Sequence, residues 1–181
     1  MKISRKAKRL SRKKVHTGYA YDVVVDRVVW PNGRTYERDL IVHGGITVIV
    51  PFLDKEHLVL LRQYRYGAQD VLWEIPAGTI AKGEAPLVCA KREIIEETGY
   101  RASRWKKITD FFASPGFSTE VIHAFEAHGL KAGETSLEED EVLETRIVSL
   151  KETARLIKQK KIRDAKSLVP LWYCLSQRGA L

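Results

Sequence analysis

The chain has 181 residues, 31 Lys and Arg against 23 Asp and Glu, a formal net charge of +8 and 44% hydrophobic residues. Length and hydrophobic content fit one domain with a sizeable core and exclude global disorder. The charge excess is local: residues 1–14 hold eight basic side chains and no acid, which leaves 23 basic against 23 acidic residues over 15–181. An electrically balanced body is not that of a dedicated nucleic-acid binder, which carries its excess on the fold. Residues 1–14 therefore read as a basic, solvated tail, with nucleic-acid contact by the tail not favoured. The longest apolar run, Ile46–Leu53, is far short of the ~20 residues that span a bilayer. No apolar segment follows the basic start as in a secretory signal, and Cys89 and Cys174 match no metal-ligand spacing. A cytoplasmic protein with free thiols and no membrane partner is the expectation.

Residues 15–29, with Val23–Val25, Val28 and Val29, suit a strand. Pro31-Asn32-Gly33 signals a turn into a second strand over 34–43. Gly44-Gly45 ends it, and further strands are predicted over 46–50 and 57–65 across the polar turn Asp54-Lys55-Glu56. Pro76, Gly78 and Gly83 mark a loop. Pro86 suits a first helical turn and Gly99 a C-cap, so a helix is predicted over 86–98. Strands over 105–112, 121–128 and 142–149 and helices over 150–160 and 165–175 complete the chain. Strands, a central helix, strands again and helices last read as α+β or a three-layer sandwich rather than a βαβ repeat.

At ~100° per residue, the 86–98 helix places Leu87, Val88, Ala90, Ile94 and Ile95 in one arc, and Cys89, Glu93, Glu96 and Glu97 on the other side. Glu93 and Glu97 lie one turn apart, and Arg92 is four residues before Glu96, the offset of an orienting ion pair. Like charges so spaced repel. Either the face is simply solvated, or a hard divalent cation such as Mg²⁺ compensates it.

The spacing decides between these. Gly78, five residues, Glu84, seven residues, Arg92-Glu93-Ile94, one residue, Glu96-Glu97, one residue and Gly99 resembles the Nudix box at every defining polar and glycine position. Tyr100 stands where the pattern has an aliphatic residue. The resemblance to the Nudix hydrolase superfamily implies an α/β/α sandwich with a mixed central sheet and hydrolysis of a nucleoside diphosphate linked to another moiety. It implies Glu93 and Glu97 as metal ligands, Glu96 as a shared or supporting ligand, Arg92 as the group that orients the acids and Glu84 as support. Mg²⁺ is the implied cofactor, with Mn²⁺ as a substitute.

The flanks resemble the ADP-ribose pyrophosphatase subfamily: Trp73-Glu74-Ile75-Pro76-Ala77-Gly78, Gln63-Tyr64-Arg65, Asp164-Ala165-Lys166, and Pro115 within Ser114-Pro115-Gly116, 16 residues after Gly99. This implies the Ala77 carbonyl as a further metal ligand and Pro115 as a substrate-side marker. It implies a water-positioning acid in Leu137–Val142, Glu141 first and Glu139 next. Trp30 and Tyr36, with Glu37 and Arg38, correspond to the strand that contributes to the adenine pocket, although both aromatics would also suit ordinary cross-strand pairing. Arg65 is a candidate contact to the diphosphate, and Arg62 could equally serve, or neither. The family exchanges its N-terminal strands across a homodimer, so residues 15–43 are expected as an N-terminal antiparallel β extension and 44–181 as the hydrolase domain. The expected reaction is hydrolysis of ADP-ribose to AMP and ribose 5-phosphate. GDP-mannose or another nucleotide sugar is the alternative substrate. A non-catalytic nucleotide- or RNA-binding module is less favoured, because the box keeps all its carboxylates.

Overall fold

The structure, a computed structural model, describes residues 6–134 and 142–181. The chain folds as two units, one of the residues up to Gly45 with Phe112–Val121, the other of Ile46–Phe111 with Ile122–Leu181.

The first unit is an antiparallel sheet of β1 (Lys8–Thr17), β2 (Tyr21–Val29) and β3 (Thr35–His43) in that order. The predicted turn joins β2 to β3: Gly33 adopts a left-handed φ of 82° and its N–H donates to the Trp30 carbonyl at 2.9 Å. Ile41 of β3 also bridges to Ser118. The basic segment departs from the expected solvated tail. It forms most of β1, whose ten residues are all exposed yet pair antiparallel with β2 across two register shifts, at Leu10 and at Val15. Arg12 donates from Nε and Nη2 to buried Asp26 of β2, both at 2.7 Å, and Lys14 pairs with Asp22 at 2.6 Å. Backbone pairing and these ion pairs supply what the composition concealed, because strand preference depends on context more than on residue type.

Among the described residues, the second unit holds two sheets and three α-helices. One sheet has the order β10–β5–β6, from β10 (Leu143–Ser149), β5 (His57–Arg65) and β6 (Asp70–Glu74). The other has the order β7–β4–β9–β8, from β7 (Ala77–Thr79), β4 (Ile46–Pro51), β9 (Val121–Ala132) and β8 (Tyr100–Phe112). It is mixed: β4 runs parallel to β9 and antiparallel to β7. Side chains alternate across a sheet, and this sorts its layers. Ile49, Phe125 and Ala127 pack with Ala90 and Ile94 of α1 (Pro86–Thr98), whereas Glu126 meets Cys174 of α3 (Ala165–Gln177). The sheet is thus covered by α1 on one face and α3 on the other, the expected sandwich. The third helix, α2 (Leu150–Lys158), follows β10 and is N-capped by Ser149. No helix among the described residues is long and apolar enough to cross a membrane.

Two expectations change. The loop over 76–83 contains β7, three small residues with no hydrophobic period of their own, whose strand geometry comes from pairing with Ile46–Val48. The helical wheel of α1 is also redistributed. Val88 is 56% exposed, while Cys89, Glu93 and Glu97 are buried together with Ala90 and Ile94. The helix packs against both β4 and β7, so the acid-bearing side turns toward β7 rather than into solvent.

Candidate active site

The site is assembled where β7 runs beside α1. Gly78 of β7 lies so close to the helix that a β-carbon there would fall 1.7 Å from Cδ and 1.9 Å from Oε1 of Glu93. Only a residue without a side chain lets the Glu93 carboxylate pass. One residue earlier, the Ala77 amide donates to Oε2 of Glu97 at 2.9 Å. Glu97 is 2% and Glu93 8% exposed, so two acids one helical turn apart are held largely out of water. Burying such charge is costly unless it is paired or coordinated.

Arg92 supplies part of the compensation. Its Nη1 donates to Glu93 at 2.6 Å and to Glu96 at 2.8 Å, while Nε and Nη2 each donate to Glu84 at 3.2 Å. One guanidinium therefore binds three carboxylates. The hydrogen bond to Glu84, with the charge of Glu93 and the hydrogen bonds to Glu96 and Glu93, raises its pKa well above the ordinary arginine value. Glu84 in turn is held below the usual carboxylate range by Arg92 and by the Ala81 amide. Its oxygens are spent on those donors, which suits a brace for Arg92. Cys89 lies beneath, accepting from the Thr47 hydroxyl at 3.4 Å. Burial pushes its thiol up to about 11, so it is a packing residue rather than a nucleophile.

A second ionic cluster joins segments far apart in sequence. Glu74, buried at the end of β6, accepts from Arg65 Nη2 at 2.7 Å, from Arg65 Nε at 3.1 Å and from Lys166 Nζ at 2.5 Å. Asp164 caps α3 through the Ser167 amide and accepts from Lys166. Burial raises the Glu74 carboxyl, but Arg65 and Lys166 outweigh it and hold it below the usual range. The Nε and Nη2 of Arg65 are thus engaged by Glu74.

The expected base-binding residues lie in the first unit. Trp30 and Tyr36 meet edge to face, with ring centroids 6.4 Å apart, and the Arg38 guanidinium sits 4.7 Å and 5.0 Å from the two centroids. Glu37 faces the other side of the sheet, opposite Arg27. Pro115 belongs to the same unit. Glu139 and Glu141 lie outside the described residues.

The chain matches the NUDIX domain model over residues 43–170. The chain belongs to this family. It is 34% identical over 168 residues to the ADP-ribose pyrophosphatase of Bacillus subtilis (strain 168), covering 92% of this chain and 91% of that protein. It is 35% identical over 174 residues to a protein named methanol dehydrogenase activator from Bacillus methanolicus, covering 95% and 94%. A GDP-mannose pyrophosphatase from Cronobacter sakazakii is 34% identical over 156 residues, 81% of each chain. The crystal structure of an ADP compounds hydrolase superposes with a TM-score of 0.84 over 100% of both chains at 21% identity, a likeness of fold.

Within this Nudix chain, the structure brings Ala77, Gly78, Glu84, Arg92, Glu93, Glu96 and Glu97 together and places Arg65 in the neighbouring Glu74 cluster. Sequence reasoning did not assign Glu74 or Lys166 a part. The signal was present in the flanking motifs, but the pairing closes only when β5, β6 and α3 meet.

Proposed function

We propose that the chain hydrolyses the diphosphate of ADP-ribose, releasing AMP and ribose 5-phosphate, with Mg²⁺ as cofactor. The observation that carries this is that Arg92 draws Glu93 and Glu96 together while the Ala77 amide holds Glu97, one turn on from Glu93, with Glu93 admitted by the missing side chain of Gly78. The donor set fits a hard divalent cation: three carboxylates and the Ala77 carbonyl, oxygen throughout. When bound, Mg²⁺ supplies positive charge against the phosphate oxygens and acidifies the attacking water.

The chain's own residues prepare that chemistry. Arg92 fixes the rotamers of Glu93 and Glu96, and the Ala77 amide fixes Glu97, so the acids are oriented before substrate arrives. Glu84 holds Arg92 from behind. Carboxylates that hold metal are poor bases, so a separate acid is required, and Glu141, with Glu139 as the alternative, takes that part. Trp30 and Tyr36 offer the adenine a stacking surface, worth ~1–3 kcal/mol per base. Arg38 already lies over both rings, so a stacked base would use another face or displace it. We further propose a homodimer in which the β1–β3 sheet serves the partner's site. The exposure of Trp30, a base-binding candidate at the end of β2, supports this reading.

A second reading, a GDP-mannose pyrophosphatase, is favoured by the relative so named. Initial rates on ADP-ribose, GDP-mannose, NADH and diadenosine polyphosphates, with Mg²⁺ and with EDTA, separate the readings. AMP release from ADP-ribose that is fastest of the set and abolished by EDTA supports the proposal. A folded protein without turnover of ADP-ribose refutes it.

A further inference from the structure

Glu126 is a buried acid that the proposed chemistry does not use. It lies on the α3 face of β9 and is 3% exposed. His128 Nε2 stands 2.9 Å from it, Arg178 Nη2 3.0 Å, Lys106 Nζ 3.5 Å and the Cys174 thiol 3.6 Å. Burial would push the carboxyl up, but the hydrogen bonds from Arg178 and His128 outweigh it. The carboxylate therefore pins Arg178 and His128 at once. Arg178 also lies 3.9 Å from the centroid of Phe52, and Phe52 stacks on His128 at 5.1 Å with the rings 7° apart.

These pinned groups line a cavity of about 620 Å³ together with Lys55, Arg104 and Leu150. The acid on its wall, Asp54, is spent on the amides of Glu56 and His57 and on the His57 ring. Lys55 and Arg104 make no ion pair among the described residues. The wall is thus an aromatic plate beside an excess of positive charge from Lys55, Arg104 and Arg178, and Glu126 presets Arg178 and His128 from behind. Its volume suits a small ligand, and guanidinium groups match phosphate oxygens bidentately. The cavity lies away from the box: Val48 of β4 pairs with Ala77, and Phe52 comes four residues further along the chain, about 13 Å at ~3.3 Å per residue.

We propose that this cavity is a second binding site, for a phosphate-type anion: a phosphomonoester or inorganic phosphate held by Arg104, Lys55 and Arg178. Glu126 is its positioning residue. The site is independent of the hydrolytic reading.

The test is an amide and arginine Nε–H NMR titration of the full chain without divalent metal, using inorganic phosphate in one arm and ribose 5-phosphate in the other, with chloride at matched ionic strength as the control. Saturable shifts at Lys55, Gly129 and the Arg104 and Arg178 side chains are expected in at least one arm, and the tighter arm identifies the ligand. The double variant Lys55→Ala/Arg104→Ala removes exposed side chains, and should weaken binding at least tenfold. Glu126→Gln should weaken it severalfold while Lys55 and Arg104 still respond. Shifts that chloride reproduces, shifts confined to 77–99, or an unchanged response in the double variant would overturn the proposal.

Discussion

Gly78→Ala tests whether the site is built around the passage of one side chain. The added β-carbon would fall 1.7 Å from Cδ, 1.9 Å from Oε1 and 2.3 Å from Cγ of Glu93, where non-bonded carbon atoms rest ~3.5–4.0 Å apart. Glu93 has little room to yield, being buried and held by Arg92 at 2.6 Å. Relieving the overlap by shifting β7 or the carboxylate should cost about 1–3 kcal/mol of stability, the usual range for overpacking. A displacement of an ångström at a reacting centre costs about 100-fold in rate, so kcat on ADP-ribose should fall at least that far. A double-mutant cycle isolates the cause. In the Glu93→Ala background the overlapping atoms are gone, and Gly78→Ala should then cost under about 0.5 kcal/mol in urea denaturation, giving a coupling well above the limit of independent sites. Equal costs in the two backgrounds would refute the reasoning, because the glycine would then serve something other than Glu93.

Glu97→Gln should keep the fold, since an amide oxygen can still accept from Ala77 N–H, yet lose at least about 100-fold in kcat, the equivalent of several kcal/mol of charge stabilisation; a near-normal rate at an unchanged Tm argues against a metal role. Glu74→Gln leaves Arg65 and Lys166 short of their buried acid and should cost about 2–3 kcal/mol in urea, below the ~3–5 kcal/mol of a fully buried pair because Arg65 is partly exposed; a loss under about 0.5 kcal/mol refutes it. Asp26 has its carboxyl pKa lowered, chiefly by the Arg12 hydrogen bond. A lowered folded-state pKa gives stability that is full above the unfolded value, ~3.9, and fades as pH falls through the folded one. Hydrogen-exchange protection of β1 and β2 should therefore hold from neutrality to about pH 4 and drop below it, and Asp26→Asn should flatten that drop; identical profiles count against the pair.

How much was legible depended on whether a signal was local. The 86–98 helix, its proline start and its glycine cap were written in consecutive residues, and so was the box spacing. The Pro31-Asn32-Gly33 turn was equally local. Which acids are buried was not. A wheel sorts α1 by residue type and sets Glu93 and Glu97 apart from the apolar arc, but the helix has a second neighbour, β7, whose sequence mark is three small residues. The Glu74 cluster escaped because Lys166 meets Glu74 across 92 residues of separation. Glu126 escaped for the same reason: it sits in an apolar strand pattern, and its partner Arg178 is 52 residues away.

The basic segment shows what composition alone mistakes. A run of lysines and arginines with no acid nearby in sequence reads as a tail that can be removed without consequence. Yet Asp26 is buried across the β1–β2 ladder and receives both of its short bonds from Arg12. Stripping a buried carboxylate of its cation is strongly destabilising, whereas a strand with every side chain exposed contributes almost no burial of its own. The cations of β1 are thus of two kinds. Arg12 neutralises an interior charge, and lysines such as Lys8 and Lys13 remain on an edge strand, where such residues discourage pairing with other chains. Deleting residues 2–14 should therefore lower the hydrogen-exchange protection of β2 and β3 at neutral pH. Asp26→Asn in the deleted chain should restore part of it, since the amide needs no counter-charge. Unchanged protection after the deletion would mean that Asp26 is satisfied without Arg12, and that the segment is the dispensable tail its composition suggests.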